Sequence, residues 1–227
     1  MMLIDNEWCF IHIPKTSGTN LRKSFSSDRA IKYNDHQFWN EFWYDSKLAQ
    51  IPSFKELVNN QMSDENAGII KHAPLHFWEK VGVVKNQKIF TIVRNPYTIF
   101  LSRFHELKRI IENSMLSMLP INLTLKSMTY DDMITLPFNV CGNKMNQIDY
   151  LVDKNNNIRV DRIYKMETDQ NKIEIDFNIK NLNENKYNHY NYDRNYKEIF
   201  DESIINWIQK TFKRDFDYLN YSINPFW

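Results

Sequence analysis

The stretch Trp8-Cys-Phe-Ile-His-Ile-Pro-Lys-Thr-Ser-Gly-Thr-Asn-Leu-Arg22 decides the fold, because an apolar run ends at Pro14 and small hydroxylated residues then surround Gly18. This pattern predicts a buried strand, a tight turn and the start of a helix. Such a turn presents backbone N–H groups and the positive end of a helix dipole to one anion. Lys15 adds a mobile charge beside them. The stretch therefore predicts a phosphate-binding loop.

The candidate ligands in this loop are a lysine, three hydroxyl side chains, a glycine and an asparagine. They are Lys15, Thr16, Ser17, Gly18, Thr19 and Asn20. Hydroxyl groups donate hydrogen bonds, and a glycine allows close backbone approach and an unusual φ. The order differs from the nucleotide triphosphatase loop G-x-x-x-x-G-K-[ST], in which the lysine follows the second glycine. Here the lysine precedes the first glycine of the chain, so it approaches the anion from the strand side.

Length and charge limit the class of protein. With 227 residues, we expect a single domain over 1–227. A formal net charge of +1 provides no general field for nucleic acid or an anionic membrane. The first residues lack a basic region and no window is apolar over about 18 residues, so we expect no signal peptide, no membrane span and a cytoplasmic location. Cys9 and Cys141 have no metal-ligand spacing.

Strands alternate with helices along the chain. We predict strands at 8–13, 68–72, 88–93 and 159–165, and helices at 19–26, 53–61, 74–81 and from 196 onward. In the last helix, apolar residues recur every fourth position at Ile204, Ile208, Phe212 and Phe216. The order predicts an α/β fold with a P-loop-like, mostly parallel sheet and helices on both faces.

Ligands of such sheets bind beyond the carboxyl ends of the strands. Each predicted strand delivers polar residues to that edge: Lys15 from the first, Lys71 and His72 from the second, Arg94 from the third, and Lys165 and Glu167 from the fourth. The sequence therefore predicts that separate segments converge on one site.

A second motif follows the third predicted strand, in the stretch from Ile89 to Phe104. Asn95 suits a helix N-cap and Pro96 the first helical position. Arg94 stands at the end of the strand, and Ser102 lies about two turns into the helix. The planar fork of an arginine and a serine hydroxyl suit a terminal phosphate. The motif predicts a second phosphate site.

Together the two motifs resemble those of sulfotransferases that use 3′-phosphoadenosine 5′-phosphosulfate (PAPS). The order Pro-Lys-Thr-Ser-Gly-Thr at 14–19 resembles their 5′-phosphosulfate loop, and Arg94 with Ser102 resembles their 3′-phosphate site. PAPS carries phosphate on both sides of its ribose, whereas an ATP enzyme has no use for the second site.

Further segments are similar to the carbohydrate sulfotransferases that include heparan-sulfate 2-O-sulfotransferase-like and bacterial members. They are Lys71-His72-Ala73, Asn146–Leu151, Val160–Glu167, Leu182–Tyr190 and Asp215–Tyr221. The chain departs from the pattern at Thr98-Ile99, where many members carry Asp-Arg, and at Asn185, where they carry Ser or Thr. Of the late loop, only Lys186 is carried over, as a cofactor-binding cation.

The resemblance implies transfer of the sulfuryl group of PAPS to a hydroxyl acceptor, a glycan or other carbohydrate, without a metal. It implies that Lys15 stabilises the bridging oxygen and that His72 removes the hydroxyl proton. An unperturbed histidine pKa near 6.5 suits that task.

Two other functions stay open: a P-loop nucleotide kinase, and a noncatalytic nucleotide-binding module. Trp39, Trp43 and Trp78 fit either stacking on sugar rings or packing in the core. His76 is assigned a structural role.

Overall fold

The computed structural model describes residues 1–32, 72–80, 82–113, 129–135, 145–180, 182 and 200–224. These residues fall into two compact units. The first draws on Met1–Val93 and Asp149–Tyr187, and the second on Arg94–Ile148 and Asn188–Trp227. The single domain over 1–227 stays a prediction.

The strands described are β1 (Met2–Ile4), β2 (Trp8–Ile11), β3 (Ala30–Lys32), β4 (Lys88–Val93) and β5 (Arg162–Lys165). The α-helices described are α1 (Gly18–Ser24), α2 (Leu75–Lys80), α3 (Pro96–Asn113), α4 (Tyr130–Thr135), α5 (Gln170–Phe177), α6 (Glu202–Thr211) and α7 (Lys213–Leu219), with a 3₁₀ helix at Gln147–Leu151. The chain is therefore of the mixed α/β class, as predicted. The helix predicted at 53–61 and residues 68–71 of the second predicted strand lie outside the described residues.

The first unit contains a five-stranded sheet in the order β3-β1-β2-β4-β5. The pairs β2–β4 and β4–β5 are parallel, with Phe10 opposite Phe90 and Phe90 opposite Arg162. The pairs β1–β2 and β1–β3 are antiparallel. The predicted parallel arrangement thus holds for β2, β4 and β5 and does not extend to β1 and β3. The hairpin between β1 and β2 turns at Asp5 and Asn6, whose φ angles of 49° and 58° are typical of tight hairpin turns.

The central strands β2 and β4 are buried on both faces, and their apolar residues accordingly do not alternate with polar ones. On one face, Phe10 and Phe90 pack with Leu21 of α1 and Phe177 of α5 in a single hydrophobic cluster. On the other face Cys9 is fully buried. Burial raises the pKa of its thiol to about 12, and the nearby Glu79 carboxylate of α2 adds to the rise.

The second unit is helical over the described residues. Phe100 of α3 lies against Trp207 of α6 and Phe200, with ring centroids 5.6 Å apart in both pairs. The long C-terminal helix predicted from residue 196 is two helices that meet at Phe212, where φ is −102° and ψ is 25°. The residues of its apolar stripe, Ile204, Ile208, Phe212 and Phe216, are nevertheless all buried. None of the helices described is long and apolar enough to cross a membrane.

Candidate functional site

The loop between β2 and α1 has an unusual backbone. Lys15 and Ser17 have φ angles of 69° and 68°, in the left-handed region that non-glycine residues seldom adopt. Turns of this kind direct nearby backbone N–H groups into a concavity that suits an anion. Since α1 has only seven residues, the capacity to hold an anion depends on these loop amides and on Lys15 rather than on a helix dipole.

Other loop side chains hold this shape. Thr16 is fully buried, and its hydroxyl donates to the carbonyl of Ile13 over 2.9 Å. Asn20 is buried as well, and its N–H donates to the carbonyl of Ser17 over 3.0 Å. Thr19 is exposed, whereas Lys15 and Ser17 are half-buried. The hydroxyl of Thr16 thus acts within the loop, and any contact of Thr16 with an anion would come from its amide.

Gly18 lies directly against the imidazole of His12. A Cβ at this position would overlap the Cδ2 and Nε2 atoms of that ring. His12 is itself buried and stacks on Phe10, with ring centroids 5.5 Å apart. The close approach therefore requires glycine here.

His72 reaches the same histidine from a distant part of the chain. Its Nδ1 lies 2.9 Å from the carbonyl oxygen of His12, and the two ring centroids are 4.3 Å apart. Since a carbonyl oxygen only accepts, Nδ1 carries the hydrogen, and in the neutral ring Nε2 carries the lone pair. His72 is half-buried. The structure therefore brings His72 beside the loop in the tautomer that a general base at Nε2 needs.

The segment after His72 is fixed by Trp78. The indole Nε1 donates to the carbonyl of Ala73 over 2.9 Å, and the side chain is fully buried. Of the two roles considered for Trp78, the structure shows packing, because a fully buried ring offers no face to a sugar. Trp39 and Trp43 lie outside the described residues.

The motif from Arg94 to Ser102 lies at the start of the second unit, which begins at Arg94. Asn95 caps α3, since its side-chain oxygen accepts from the N–H of Tyr97 over 2.9 Å and its carbonyl from the N–H of Ile99 over 2.9 Å. The helix begins at Pro96. The predicted cap and helix start are therefore confirmed.

Arg94 is oriented by the first turn of α3. Its Nε donates to the hydroxyl oxygen of Thr98 over 3.1 Å, and that hydroxyl donates to the carbonyl of Asn95 over 3.0 Å. Ser102 lies one turn beyond Thr98 on the same helix face and is 7% exposed. Ile99 is fully buried. The position at which resembling chains carry a cation is therefore a core position here, and Thr98 acts on Arg94 instead.

Gln147 holds the backbone of Arg94 from the other side, a contact that the sequence did not predict. Its Oε1 accepts from the N–H of Arg94 over 2.8 Å, and its Nε2 donates to the carbonyl of Arg94 over 2.7 Å. Asp215 holds Gln147 in turn, because its Oδ2 accepts from the backbone N–H over 2.8 Å and from Nε2 over 3.2 Å. The Oδ1 of Asp215 accepts from the N–H of Ile148 over 3.0 Å.

Asp215 and Gln147 are both fully buried. Burial raises the pKa of the Asp215 carboxyl, while hydrogen bonds from Gln147 and Ile148 and the charge of Arg103 oppose the rise. A polar aspartate inside the apolar pattern of the last helices is the signal that could have indicated this network.

The predicted site residues thus lie in two groups. Lys15, Thr16, Ser17, Gly18, Thr19, Asn20 and His72 belong to the first unit, and Arg94 and Ser102 to the second. Lys71 and Lys186 lie outside the described residues. Within the described part of the chain, no three His, Cys, Asp or Glu side chains are grouped as metal ligands.

Comparison with protein-family models, with curated proteins and with solved structures gave no match. A function has to be inferred from the geometry of these residues and from the sequence motifs.

Proposed function

We propose that the chain is a PAPS-dependent sulfotransferase that acts on a hydroxyl group of a carbohydrate. The observation that carries the proposal is the loop after β2. In this loop the backbone of Lys15 and Ser17 is in the left-handed region, and Gly18 packs against His12. The imidazole of His72 is hydrogen-bonded to the carbonyl oxygen of His12. A cation, a concave run of amides and a general base in one group are what transfer of an anionic group to a hydroxyl requires.

The second motif supplies the reason for choosing PAPS over other phosphorylated donors. The guanidinium of Arg94 is oriented by Thr98, and Ser102 lies one turn beyond Thr98 on the same face of α3. A planar fork of donors suits the two charges of a terminal phosphate. In the proposal the loop at 14–20 binds the 5′-phosphosulfate, and Arg94 with Ser102 binds the 3′-phosphate. Lys186 is proposed as a further cation for the nucleotide.

The chemistry assigned to the chain balances without a further reactant. The acceptor oxygen attacks sulfur, and the bond from sulfur to the bridging oxygen of the 5′-phosphate breaks. Nε2 of His72 takes the proton of the acceptor hydroxyl. Lys15 stabilises the negative charge that collects on the bridging oxygen, and adenosine 3′,5′-bisphosphate leaves. Most of the rate enhancement comes from positioning and charge stabilisation, as in phosphoryl transfer.

The carbohydrate class of acceptor is supported by the resemblance of segments 71–73 and 146–151 to carbohydrate sulfotransferases. The test is an acceptor screen. The protein is incubated with PAPS labelled in the sulfuryl group and with a panel of glycans, simple sugars, phenols and alcohols, and the products are analysed by mass. Sulfation confined to carbohydrates supports the proposal in full. Sulfation of phenols alone would support the sulfotransferase reaction and refute the carbohydrate class of acceptor.

Calorimetry separates the proposal from the two other functions. A sulfotransferase binds adenosine 3′,5′-bisphosphate more tightly than ATP with magnesium, whereas a nucleotide kinase shows the reverse preference. Tight binding of the bisphosphate without transfer to any acceptor of the panel would instead indicate a noncatalytic nucleotide-binding module.

A further inference from the structure

We propose that Gln147 and Asp215 are positioning residues for Arg94, which set the direction in which its guanidinium meets the 3′-phosphate. The inference rests on the proposed function, since it assigns a role to residues behind one of the two phosphate sites. Hydrogen bonds within the second unit connect the three residues.

Gln147 fixes the backbone conformation of Arg94. Gln147 contacts both the N–H and the carbonyl oxygen of Arg94, over 2.8 Å and 2.7 Å. These two groups belong to the peptide planes on either side of the Arg94 Cα. Holding both planes fixes φ and ψ together, because these are the only soft backbone dihedrals of a residue. The direction of the Arg94 Cα–Cβ bond is therefore set by one side chain.

Asp215 acts on the orientation of the Gln147 side-chain amide. A glutamine side chain could turn its oxygen or its nitrogen toward Arg94 N–H, and only the oxygen can accept that hydrogen. The carboxylate of Asp215 accepts from the Gln147 Nε2 over 3.2 Å. The same oxygen of Asp215 also accepts from the backbone N–H of Gln147, so it acts as an acceptor and favours the orientation with the amide nitrogen toward itself. Asp215 thus holds the Gln147 amide in the one orientation that the N–H and the carbonyl oxygen of Arg94 both require.

The side chain of Arg94 is held separately from its backbone. Its Nε is held by Thr98 over 3.1 Å, on the helix side. Backbone and side chain are therefore fixed from two elements, the 3₁₀ helix that contains Gln147 and the first turn of α3. Recognition of phosphate by a fork of donors depends strongly on such accuracy, because small displacements lose the paired geometry.

The charge of the buried Arg103 offsets part of the cost of burying the Asp215 carboxyl, whereas the hydrogen bonds with Gln147 are what connect Asp215 to Arg94. Asp215 is fully buried, and a buried carboxylate costs free energy that an apolar side chain of similar size would not. Arg103, also fully buried, and Asn146 fasten the neighbouring backbone and touch Met145 and Thr211 rather than Arg94. The segment is thus already anchored by contacts that do not involve Arg94.

The test compares two nucleotides. Dissociation constants for adenosine 3′,5′-bisphosphate and for adenosine 5′-monophosphate are measured by calorimetry for the wild type and for Gln147→Met, which keeps the side-chain volume and removes its hydrogen bonds. We expect the dissociation constant of the bisphosphate to rise about tenfold and that of the monophosphate to stay within about twofold. Asn146→Ala is the matched control. It removes contacts to Thr211 and Asp215 from the same segment and should leave the ratio of the two constants unchanged.

Asp215→Asn keeps the inference testable if Gln147→Met does not fold, as judged by thermal unfolding. It too should weaken binding of the bisphosphate selectively. In an Arg94→Ala background neither substitution should have a further effect on the bisphosphate, since both act through Arg94. An equal loss for both nucleotides, or a full effect without Arg94, overturns the positioning role and leaves the sulfotransferase proposal intact. If the wild type binds both nucleotides equally, the 3′-phosphate site itself is refuted, and this inference with it.

Discussion

The imidazole of His72 donates its Nδ1 hydrogen to the backbone carbonyl of His12 over 2.9 Å. The two residues are 60 positions apart in the chain. The bond fixes both the orientation of the His72 ring and its tautomer. Gly18 packs against the other partner, the ring of His12. The conformation of the loop and the orientation of the proposed base therefore depend on the same residue.

Replacement of His72 by alanine should remove the general base and leave nucleotide binding unchanged. In His72→Ala we expect the turnover rate to fall by about 100-fold to 10,000-fold, while the dissociation constant of adenosine 3′,5′-bisphosphate stays within about twofold. Rates come from labelled PAPS and constants from calorimetry. His76→Ala is the control, because that histidine is exposed on α2 and should leave both quantities unchanged. An unchanged rate in His72→Ala would assign the base elsewhere.

Replacement of Gly18 by alanine tests the close approach to His12. The added Cβ overlaps the imidazole, so Gly18→Ala should lower the free energy of unfolding by about 1–3 kcal/mol and abolish nucleotide binding. Gly82→Ala is the matched control: its φ of 76° strains an alanine, but an added Cβ would meet no atom of a non-neighbouring residue within 4 Å. We expect a loss of about 1–2 kcal/mol there with binding retained. Denaturant unfolding and calorimetry measure the two effects, and tight binding by Gly18→Ala would refute the role of the glycine.

Replacement of Lys15 by alanine should abolish transfer with little change in the fold. The side chain is half-buried in the loop, and its proposed role is to stabilise charge on the bridging oxygen. We expect at least about a 100-fold loss of turnover at an unchanged thermal midpoint. Lys23→Ala, on the exposed side of α1, controls for the general loss of one positive charge. Full turnover by Lys15→Ala would exclude the proposed role.

The parts of the fold that the sequence predicted have strong local signals. β4 spans the predicted residues 88–93, and its signal is strong because five of its six residues are buried and four of those five are apolar. The start of α3 follows from the pair Asn95-Pro96. β1 and β3 have three residues each, too few to show a period, and they form by pairing across the chain. The break at Phe212 has no Gly or Pro to indicate it, since the apolar spacing continues through it.

The candidate site divides in the same way. The loop at 14–20 and the Arg94 motif each lie within one short stretch, so residue order alone suggested them. The network of Gln147 and Asp215 joins positions 68 residues apart, and no spacing rule indicates such a pair. The bond between His72 and His12 joins residues 60 positions apart, so the tautomer that favours His72 as a base could be assigned only from the structure.

Cys9 should resist thiol reagents in the folded protein. Its side chain is fully buried in the sheet, and burial raises its pKa to about 12, so very little reactive thiolate exists near pH 8. We expect a maleimide to label Cys9 only in denaturant, with peptide mapping by mass spectrometry to distinguish it from Cys141. Because the folded pKa exceeds the ordinary value of 9.0, this thiol lowers the stability as pH rises from about 9 toward 12. Rapid labelling of Cys9 in native buffer would contradict the burial of β2.

Thr98 tests whether orientation of Arg94 matters apart from its charge. Thr98→Val has nearly the same shape and removes the oxygen that accepts from the Arg94 Nε, so the guanidinium keeps its charge and loses one fixed contact. We expect the dissociation constant of adenosine 3′,5′-bisphosphate to rise by about threefold to tenfold, with adenosine 5′-monophosphate unaffected. Thr98→Ser keeps the hydroxyl and should behave as the wild type. If the Thr98→Val and Thr98→Ser variants bind the bisphosphate equally well, the Thr98 hydroxyl has no part in the site, and Arg94 acts through its charge alone.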